Sequence, residues 1–292
     1  MRLGGYFRAD RIEDLEPLCE QLDTYGLSAI QAPARLAIMP EDTCAAFGER
    51  ARELGIVVGE AGMWDNLMTK DAVLRAQRVD HVRRLLVHGD AMGCHCVVSL
   101  VGSRDPSGNA LAPHPYMYTQ ACKNEFRDLV LRILDGLDLK TTRYVIEPWH
   151  NTFFYQPGEI RALIDAVGHP AFGVHLDQMN MVSQQSYHNT TELIHTTFDL
   201  LADVVGSVHL KDVRCDIGHM FLKWDEVNIG DGVMDYDAYL KRLAELPLDT
   251  PCYCEHLAAE ADYALNFCRL HYLAQKAGAQ FVPRTPKGAT IP

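Results

Sequence analysis

The segment Val204-Val205-Gly206-Ser207-Val208-His209-Leu210-Lys211-Asp212 is typical of a short apolar β-strand that ends in polar residues. A strand needs only about five to six residues to cross a small core, so residues 206–210 are long enough to be buried. The side chains at the end of this strand can bind a metal, donate hydrogen bonds or accept them. Several other apolar segments of the chain end in the same way.

Eight apolar segments alternate with eight segments whose apolar residues have helical spacing. The predicted strands are 3–7, 27–32, 56–60, 95–100, 144–147, 172–176, 206–210 and 251–255. The first predicted helix lies between Asp10 and Gly26, and the others are 41–54, 70–92, 118–137, 158–167, 189–203, 236–245 and 261–277.

The predicted strands are apolar throughout, and their connections are too long for hairpins, which indicates parallel strands covered by helices. The count of eight favours an α/β fold with a single closed (β/α)8 TIM barrel over an open doubly wound sheet. We expect one barrel domain over residues 1–282 and a loose C-terminal tail over residues 283–292.

The composition restricts the partners of the protein. The formal net charge is −12 and there is no long run of Lys or Arg, so a nucleic-acid partner is disfavoured. No segment approaches the roughly 20 apolar residues of a membrane span, and the start of the chain has no secretory apolar region. The nine Cys are scattered and suit reduced, structural thiols. We therefore expect a soluble, cytoplasmic protein without a membrane partner.

Four consecutive predicted strands end in a residue that can bind a metal: Glu147, Asp177, His209 and Glu255. In a parallel barrel the adjacent strands lie about 4.8 Å apart and the functional site lies at their carboxyl ends. Three carboxylates and one imidazole at one place need a counter-charge, which a divalent cation supplies. Oxygen-rich ligation with one His suits Mn²⁺ best, with Mg²⁺, Co²⁺ or Zn²⁺ as alternatives. Each of these residues alone would more often be a solvated rim residue or a core histidine.

Five short motifs follow one another in a characteristic order and spacing: Val145-Ile146-Glu147-Pro148, Leu176-Asp177, Val208-His209-Leu210-Lys211-Asp212, Asn228-Ile229-Gly230-Asp231-Gly232-Val233-Met234-Asp235-Tyr236, and Glu255. Together they resemble the xylose isomerase-like barrel superfamily, in particular its sugar phosphate isomerase/epimerase and ketose 3-epimerase group. The same superfamily shares its fold with endonuclease IV. The resemblance covers nearly the whole chain.

The resemblance implies a role for each matching residue. It implies that Glu147, Asp177, His209 and Glu255 bind the metal, and that the two glutamates also act as acid and base on opposite faces of a sugar. A metal that chelates a carbonyl and its neighbouring hydroxyl acidifies the intervening C–H and stabilises a cis-enediolate. Such an intermediate leads to isomerisation, epimerisation or dehydration. The resemblance also implies a small carbohydrate substrate and a homo-oligomer, either a dimer or a tetramer.

The sequence departs from the family pattern at three positions. Asn180 stands where the family usually has the His of Asp-x-x-His, which argues against a multinuclear zinc site, although Asn can still bind a sugar hydroxyl. Where the epimerases usually have an Arg, this chain has Cys215, and we expect the preceding Arg214 to bind substrate. Lys211 gives the His-x-Lys-Asp form of inosose dehydratase-like members. Lys211 either donates to a substrate oxygen or acts as an acid or base with a lowered pKa, or else it simply pairs with Asp212.

Three further residues are candidates for substrate binding. Glu60 ends the third predicted strand, and Trp64 in the next loop could stack on a sugar ring. His150 follows Glu147 closely and could shuttle a proton.

The leading interpretation is therefore a metal-dependent isomerase or epimerase of a small ketose or keto-polyol. An inosose dehydratase-like lyase is the main alternative. An abasic-site nuclease is disfavoured by Asn180 and the acidic charge balance, and a non-catalytic carbohydrate-binding barrel is disfavoured by the intact ligand set.

Overall fold

A computed structural model describes residues 1–216, 218 and 223–287 of the chain. Eight parallel strands close into a barrel in the order β1-β2-β3-β4-β5-β6-β7-β10. The barrel strands are β1 (Arg2–Arg8), β2 (Ala29–Gln31), β3 (Val57–Met63), β4 (Cys96–Ser99), β5 (Arg143–Ile146), β6 (Phe172–Asp177), β7 (Val205–Leu210) and β10 (Pro251–Cys254). The (β/α)8 barrel predicted from the sequence is confirmed.

In the described residues, seven α-helices connect successive barrel strands and an eighth follows β10. They are α1 (Leu15–Thr24), α2 (Glu41–Glu53), α3 (Ala72–Met92), α4 (Gln120–Leu134), α5 (Pro157–Val167), α6 (Thr190–Leu201), α7 (Tyr236–Leu243) and α8 (Glu260–Ala277). The longest, α3, begins where the Asp71 carboxylate accepts hydrogen bonds from the N–H groups of Val73 and Leu74, and it ends at Gly93 with φ 77°. Among the described residues, no helix is long and apolar enough to cross a membrane.

The connection after β7 contains a feature that the sequence reading missed. Strands β8 (Asp212–Asp216) and β9 (Lys223–Val227) form an antiparallel hairpin outside the barrel, with Cys215 opposite Trp224. We expected an irregular loop there, because β9 carries three charged residues in five and lacks an apolar run. Only β8 alternates clearly, with Val213 and Cys215 buried. The hairpin carries side chains to the carboxyl ends of the barrel strands.

The barrel interior is filled by small and branched side chains. Cys96, Val98 and Val145 form one buried cluster there. A Cβ atom at Gly206 would lie 2.8 Å from Cγ1 of Val145, so a glycine at this position of β7 allows the two strands to pack across the interior. The ends of the barrel strands, where the candidate site residues lie, therefore rest on a tightly packed interior.

The expectation of a loose C-terminal tail is wrong for residues 283–287. The Arg284 guanidinium forms an ion pair with Asp23 and donates to the carbonyl of Leu54, and the N–H of Lys287 donates to the carbonyl of Glu53. The linear sequence does not show that the C-terminal ends of α1 and α2 lie close enough together to bind this arginine. Residues 288–292 lie outside the described residues.

A partly buried ion network holds the long loop after β4 against the helices. Glu125 on α4 binds Arg75 of α3 at 2.6 Å and also binds Arg104 in the loop, and it accepts a hydrogen bond from the Tyr116 hydroxyl at 2.7 Å. Burial alone would raise the pKa of Glu125, but these three partners outweigh it and lower that pKa to about 2. The loop therefore depends on an ionised Glu125.

We expect Glu125→Gln to lower the free energy of unfolding by about 2 kcal/mol at pH 7, because charge-assisted hydrogen bonds are lost from a site that is mostly buried. Since the folded-state pKa is depressed, this stabilisation is present above the unfolded-state value of about 4.3 and is lost as the pH falls towards 2. Urea unfolding at several pH values measures the effect. The exposed Glu49→Gln is the control, and equal stability of Glu125→Gln and the native chain at pH 7 would contradict this account.

Candidate metal centre

The four predicted ligands come together at the carboxyl ends of neighbouring strands. Strands β5, β6, β7 and β10 are adjacent in the barrel, and the register pairs Asp177 with His209 and His209 with Tyr253, two residues before Glu255. One ligand atom from each of Glu147, Asp177, His209 and Glu255 lies within 4.8 Å of the other three. The strand endings seen in the sequence are thus brought to one point.

The atoms that face one another here suit a cation. Nδ1 of His209 lies 2.7 Å from Oε1 of Glu255 and 3.9 Å from Oε1 of Glu147. Nδ1 of His209 and Oδ2 of Asp177 are both buried and contact charged groups of the centre, Nδ1 near Glu255 and Oδ2 at 2.7 Å from the Lys211 ammonium. Carboxylate and imidazole atoms that are buried side by side need a positive charge, so they fit a metal-binding role. The donor set of three carboxylates and one imidazole fits a divalent ion.

Asn180 holds two of these carboxylates in position. Its side-chain Nδ2 donates to Oε1 of Glu147 at 2.8 Å, and its backbone N–H donates to Oδ1 of Asp177 at 3.1 Å. Asn180 is itself 5% exposed. The residue that departs from the family pattern therefore positions two of the predicted ligands, and Oδ2 of Asp177 faces the centre.

Lys211 enters the centre as well. Its ammonium lies 2.6 Å from Oε1 of Glu255 and 2.7 Å from Oδ2 of Asp177. Burial would lower the pKa of Lys211, but the charges of Asp177, Glu255 and Glu147 outweigh burial and raise that pKa. These contacts give no support to a lowered pKa of Lys211, and a role as acid or base stays a prediction.

The alternative in which Lys211 pairs with Asp212 is wrong. The Asp212 carboxylate accepts hydrogen bonds from four backbone N–H groups, those of Val213, Gly230, Gly232 and Met234, at 2.9–3.0 Å. A Cβ atom at Gly232 would lie 2.1 Å from Oδ1 of Asp212, so only glycine allows this approach. Asp212 therefore anchors the loop of the Asn228–Tyr236 motif, and its carboxylate is bound by backbone N–H groups and not by Lys211.

The two glutamates have opposite electrostatic surroundings. Burial raises the pKa of Glu147 well above its usual range. Burial acts on Glu255 in the same direction, but His209 and Lys211 outweigh it and lower the pKa of Glu255. Paired carboxyl groups whose pKa values are driven apart are typical of sites that use one as an acid and the other as a base.

Glu60 does not reach the cavity that was expected to hold substrate. It is 1% exposed and lies behind His209, with its Oε1 atom 3.1 Å from Nε2 of His209. Its Oε2 atom lies 3.6 Å from Nδ1 of the fully buried His175, which also contacts the Ser207 hydroxyl at 2.5 Å. A carboxylate behind a ligating imidazole fixes the ring orientation and makes the facing nitrogen a better ligand.

A cavity of about 460 Å³ opens in front of the centre. Its lining includes Glu147, Asn180, Lys211, Glu255 and Trp64. The Trp64 side chain is 46% exposed, and its ring lies 6.4 Å from that of His209. A ring at the cavity mouth is placed to stack on a ligand.

The other two predicted substrate residues lie further away. Arg214 lies on the hairpin strand β8 and lines a neighbouring cavity of about 360 Å³, which also contacts Lys211 and Glu255. His150 is exposed, stacks on Trp149 at 4.4 Å and lines a third cavity. The structure therefore brings Arg214 beside the centre but leaves His150 outside it.

The sequence reading missed the role of His256. It follows Glu255 and is the only non-glycine residue with positive φ, 60°, within the described part of the chain. Its Nδ1 lies 3.4 Å from the Lys211 ammonium and 3.2 Å from Oε1 of Glu226 on β9. Strained backbone is held in place mainly at functional sites. In the sequence, the only indication that His256 lies at the centre is its position directly after Glu255.

Comparison with known proteins establishes the family. Residues 19–271 match the sequence model of the xylose isomerase-like TIM barrel family. The chain therefore belongs to this family, as its motifs predicted. No curated protein matches the chain in sequence.

Solved structures share the fold at low sequence identity. A xylose isomerase-like TIM barrel protein from Mycobacterium smegmatis, in complex with magnesium, is 16% identical with a TM-score of 0.66, over 92% of this chain and 90% of that one. L-ribulose 3-epimerase is 15% identical with a TM-score of 0.67, over 95% and 97%. The 3-keto-D-glucoside 4-epimerase from E. coli is 18% identical with a TM-score of 0.65, over 94% and 99%. At these identities the likeness shows the shared fold.

We expect Glu60→Leu to weaken Mn²⁺ binding by about 10- to 100-fold, because His209 loses the carboxylate behind its ring. Glu60→Gln retains an acceptor oxygen, so it should lie between Glu60→Leu and the native protein. Calorimetric titration of the metal-free protein with Mn²⁺ gives the three affinities. Equal affinities in all three would rule out a supporting role for Glu60.

Proposed function

We propose that the protein is a divalent-metal-dependent isomerase or epimerase of a small ketose or keto-polyol. The observation that carries this proposal is the convergence of Glu147, Asp177, His209 and Glu255 within 4.8 Å, with both glutamates lining one cavity. The comparisons support the proposal, since two of the solved structures that share this chain's fold are named as sugar epimerases.

The metal would be held by Glu147, Asp177, His209 and Glu255. A divalent ion bound there would act as a Lewis acid towards a carbonyl and an adjacent hydroxyl. Oxygen-dominated ligation favours Mn²⁺, with Mg²⁺ and Co²⁺ next and Zn²⁺ as a further alternative.

The two glutamates supply the proton chemistry. One carboxylate removes the proton from the carbon beside the carbonyl, and the electron pair of the broken C–H bond moves to the carbonyl to give the enediolate of the sugar. The other carboxyl group donates a proton to the opposite face of the same carbon, or to the former carbonyl carbon while the proton of the adjacent hydroxyl passes to the former carbonyl oxygen. The first outcome inverts a stereocentre, and the second moves the carbonyl.

Residues around the cavity orient the substrate. Trp64 stacks on the sugar, while Asn180 and Lys211 offer donors to its oxygens. Arg214 binds the distal end from the adjacent cavity. His150, which stacks on Trp149 outside the centre, and Glu60, which lies behind His209, have supporting positions rather than direct contacts.

A dehydratase is the second candidate, and Lys211 favours it. An ammonium 2.6 Å from Glu255 is placed to give a proton to a hydroxyl that leaves from the carbon next to the deprotonated one. The C–O bond then breaks and the enediolate electrons form a C=C bond, with loss of water. The same first proton removal serves both reactions, so the products decide between them.

A wash-in experiment tests the proposed reaction class. We expect the Mn²⁺-loaded protein in D₂O to place deuterium on the carbon beside the carbonyl of at least one member of a panel of ketoses and inososes. Mass spectrometry and NMR report the exchange and the product. A product lighter by one water would replace the epimerase with the dehydratase, and a panel without any exchange would contradict carbanion chemistry at this site.

Removal of either carboxylate tests the acid/base pair. We expect Glu147→Gln and Glu255→Gln each to lower kcat by about 10²- to 10⁴-fold, the usual contribution of general acid–base catalysis. Exposed Glu260→Gln is the control. His209→Ala should lose bound Mn²⁺ in elemental analysis. Near-native turnover in either Glu147→Gln or Glu255→Gln would exclude the two-carboxylate mechanism.

A further inference from the structure

We infer that Lys211 is a tethered counter-ion that competes with the metal for Asp177 and Glu255 and thereby sets the metal affinity of the site. This inference rests on the metal site proposed above. It assigns Lys211 a role that neither acid/base catalysis nor substrate binding requires.

The first observation is the identity of the contacted atoms. The ammonium lies 2.7 Å from Oδ2 of Asp177, while the other oxygen of that carboxylate accepts from the N–H of Asn180. It lies 2.6 Å from Oε1 of Glu255, the same oxygen that faces Nδ1 of His209. The ammonium and a metal would therefore use the same oxygen atoms.

The second observation is the charge balance of the site. Glu147, Asp177 and Glu255 bring three carboxylates to one point, and Oε1 of Glu147 is 4.0 Å from the Lys211 ammonium. Asp177 is fully buried and the side chain of Lys211 is 3% exposed. Solvent screens such a cluster poorly, so the ammonium offsets a repulsion that would otherwise oppose folding of the metal-free chain.

The third observation is a second carboxylate, that of Glu226, which lies close enough to be an alternative partner of the Lys211 ammonium. The Tyr236 hydroxyl donates to the Lys211 carbonyl at 2.9 Å, so the backbone is fixed independently of the side-chain ammonium. The ammonium is already 3.4 Å from Nδ1 of His256, which in turn contacts Glu226. His256 and Glu226 line both cavities that meet at Lys211. A short rotation of the side chain would move the ammonium from the ligand oxygens towards the Glu226 carboxylate.

Substitution of Lys211 separates competition from catalysis, because metal affinity and metal-free stability are measured without any sugar. We propose Lys211→Met, which keeps the length of the side chain without its charge, and Lys211→Gln as a second neutral variant. Lys223→Met on β9, an exposed lysine that pairs only with Asp225 among the described residues, is the matched control. Each protein is stripped of metal with a chelator and titrated with Mn²⁺ by calorimetry, and its Tm is recorded with and without Mn²⁺.

We expect both neutral variants to bind Mn²⁺ at least about 10-fold more tightly than the native protein. We expect their metal-free Tm to fall by about 3 °C or more, and saturating Mn²⁺ to remove this difference. Lys223→Met should change neither quantity. Unchanged or weaker Mn²⁺ binding by both neutral variants would overturn the inference, as would an unchanged metal-free Tm.

Failure of the counter-ion role and failure of the proposed isomerase function give different results. If the native protein binds Mn²⁺ and processes a sugar while the Lys211 variants bind Mn²⁺ no more tightly, only the counter-ion role fails. If the neutral variants gain Mn²⁺ affinity but no sugar is processed, the counter-ion role stands and the isomerase proposal fails.

Discussion

The structure of the site depends on one electrostatic constraint, the confinement of three carboxylates within a few ångströms of one another in a poorly solvated pocket. Glu147, Asp177 and Glu255 are fixed there because they end adjacent strands of a closed barrel, so they cannot separate without opening the sheet. Positive charge has to be supplied at the same place. The Lys211 ammonium supplies it, and a cation bound by His209 and the three carboxylates would supply it as well.

Supporting contacts surround the centre in two layers. Asn180 orients Glu147 and Asp177 from the cavity side, and Glu60 orients His209 from the barrel interior. Asp212 acts at longer range, since its carboxylate accepts hydrogen bonds from four backbone N–H groups and so fixes the loop beside the hairpin. A metal site or an acid/base pair needs this kind of support, because a displacement of about 1 Å at a reacting group is costly.

Much of this arrangement can be predicted from the sequence. Periodicity gives the eight strands and helices, and barrel geometry then requires that Glu147, Asp177, His209 and Glu255 meet. What the sequence cannot give is the direction of each side chain after its strand ends. Glu60 is one example, because nothing in the order of residues tells whether it faces the cavity or the back of His209. Lys211 is another, since its neighbour Asp212 looks like its natural partner until the loop at Gly230 and Gly232 is placed. The hairpin escaped prediction because β9 has the composition of a loop.

The central claim is that Glu147, Asp177, His209 and Glu255 bind one divalent cation together. Diffraction from Mn²⁺-soaked crystals, recorded near the manganese absorption edge, tests it directly because the anomalous signal locates the ion itself. The account predicts a single strong peak in the barrel mouth, at about 2.0–2.3 Å from one atom of each of the four residues. A peak that excludes any two of these residues, or a barrel mouth without an anomalous peak at saturating Mn²⁺, would contradict it.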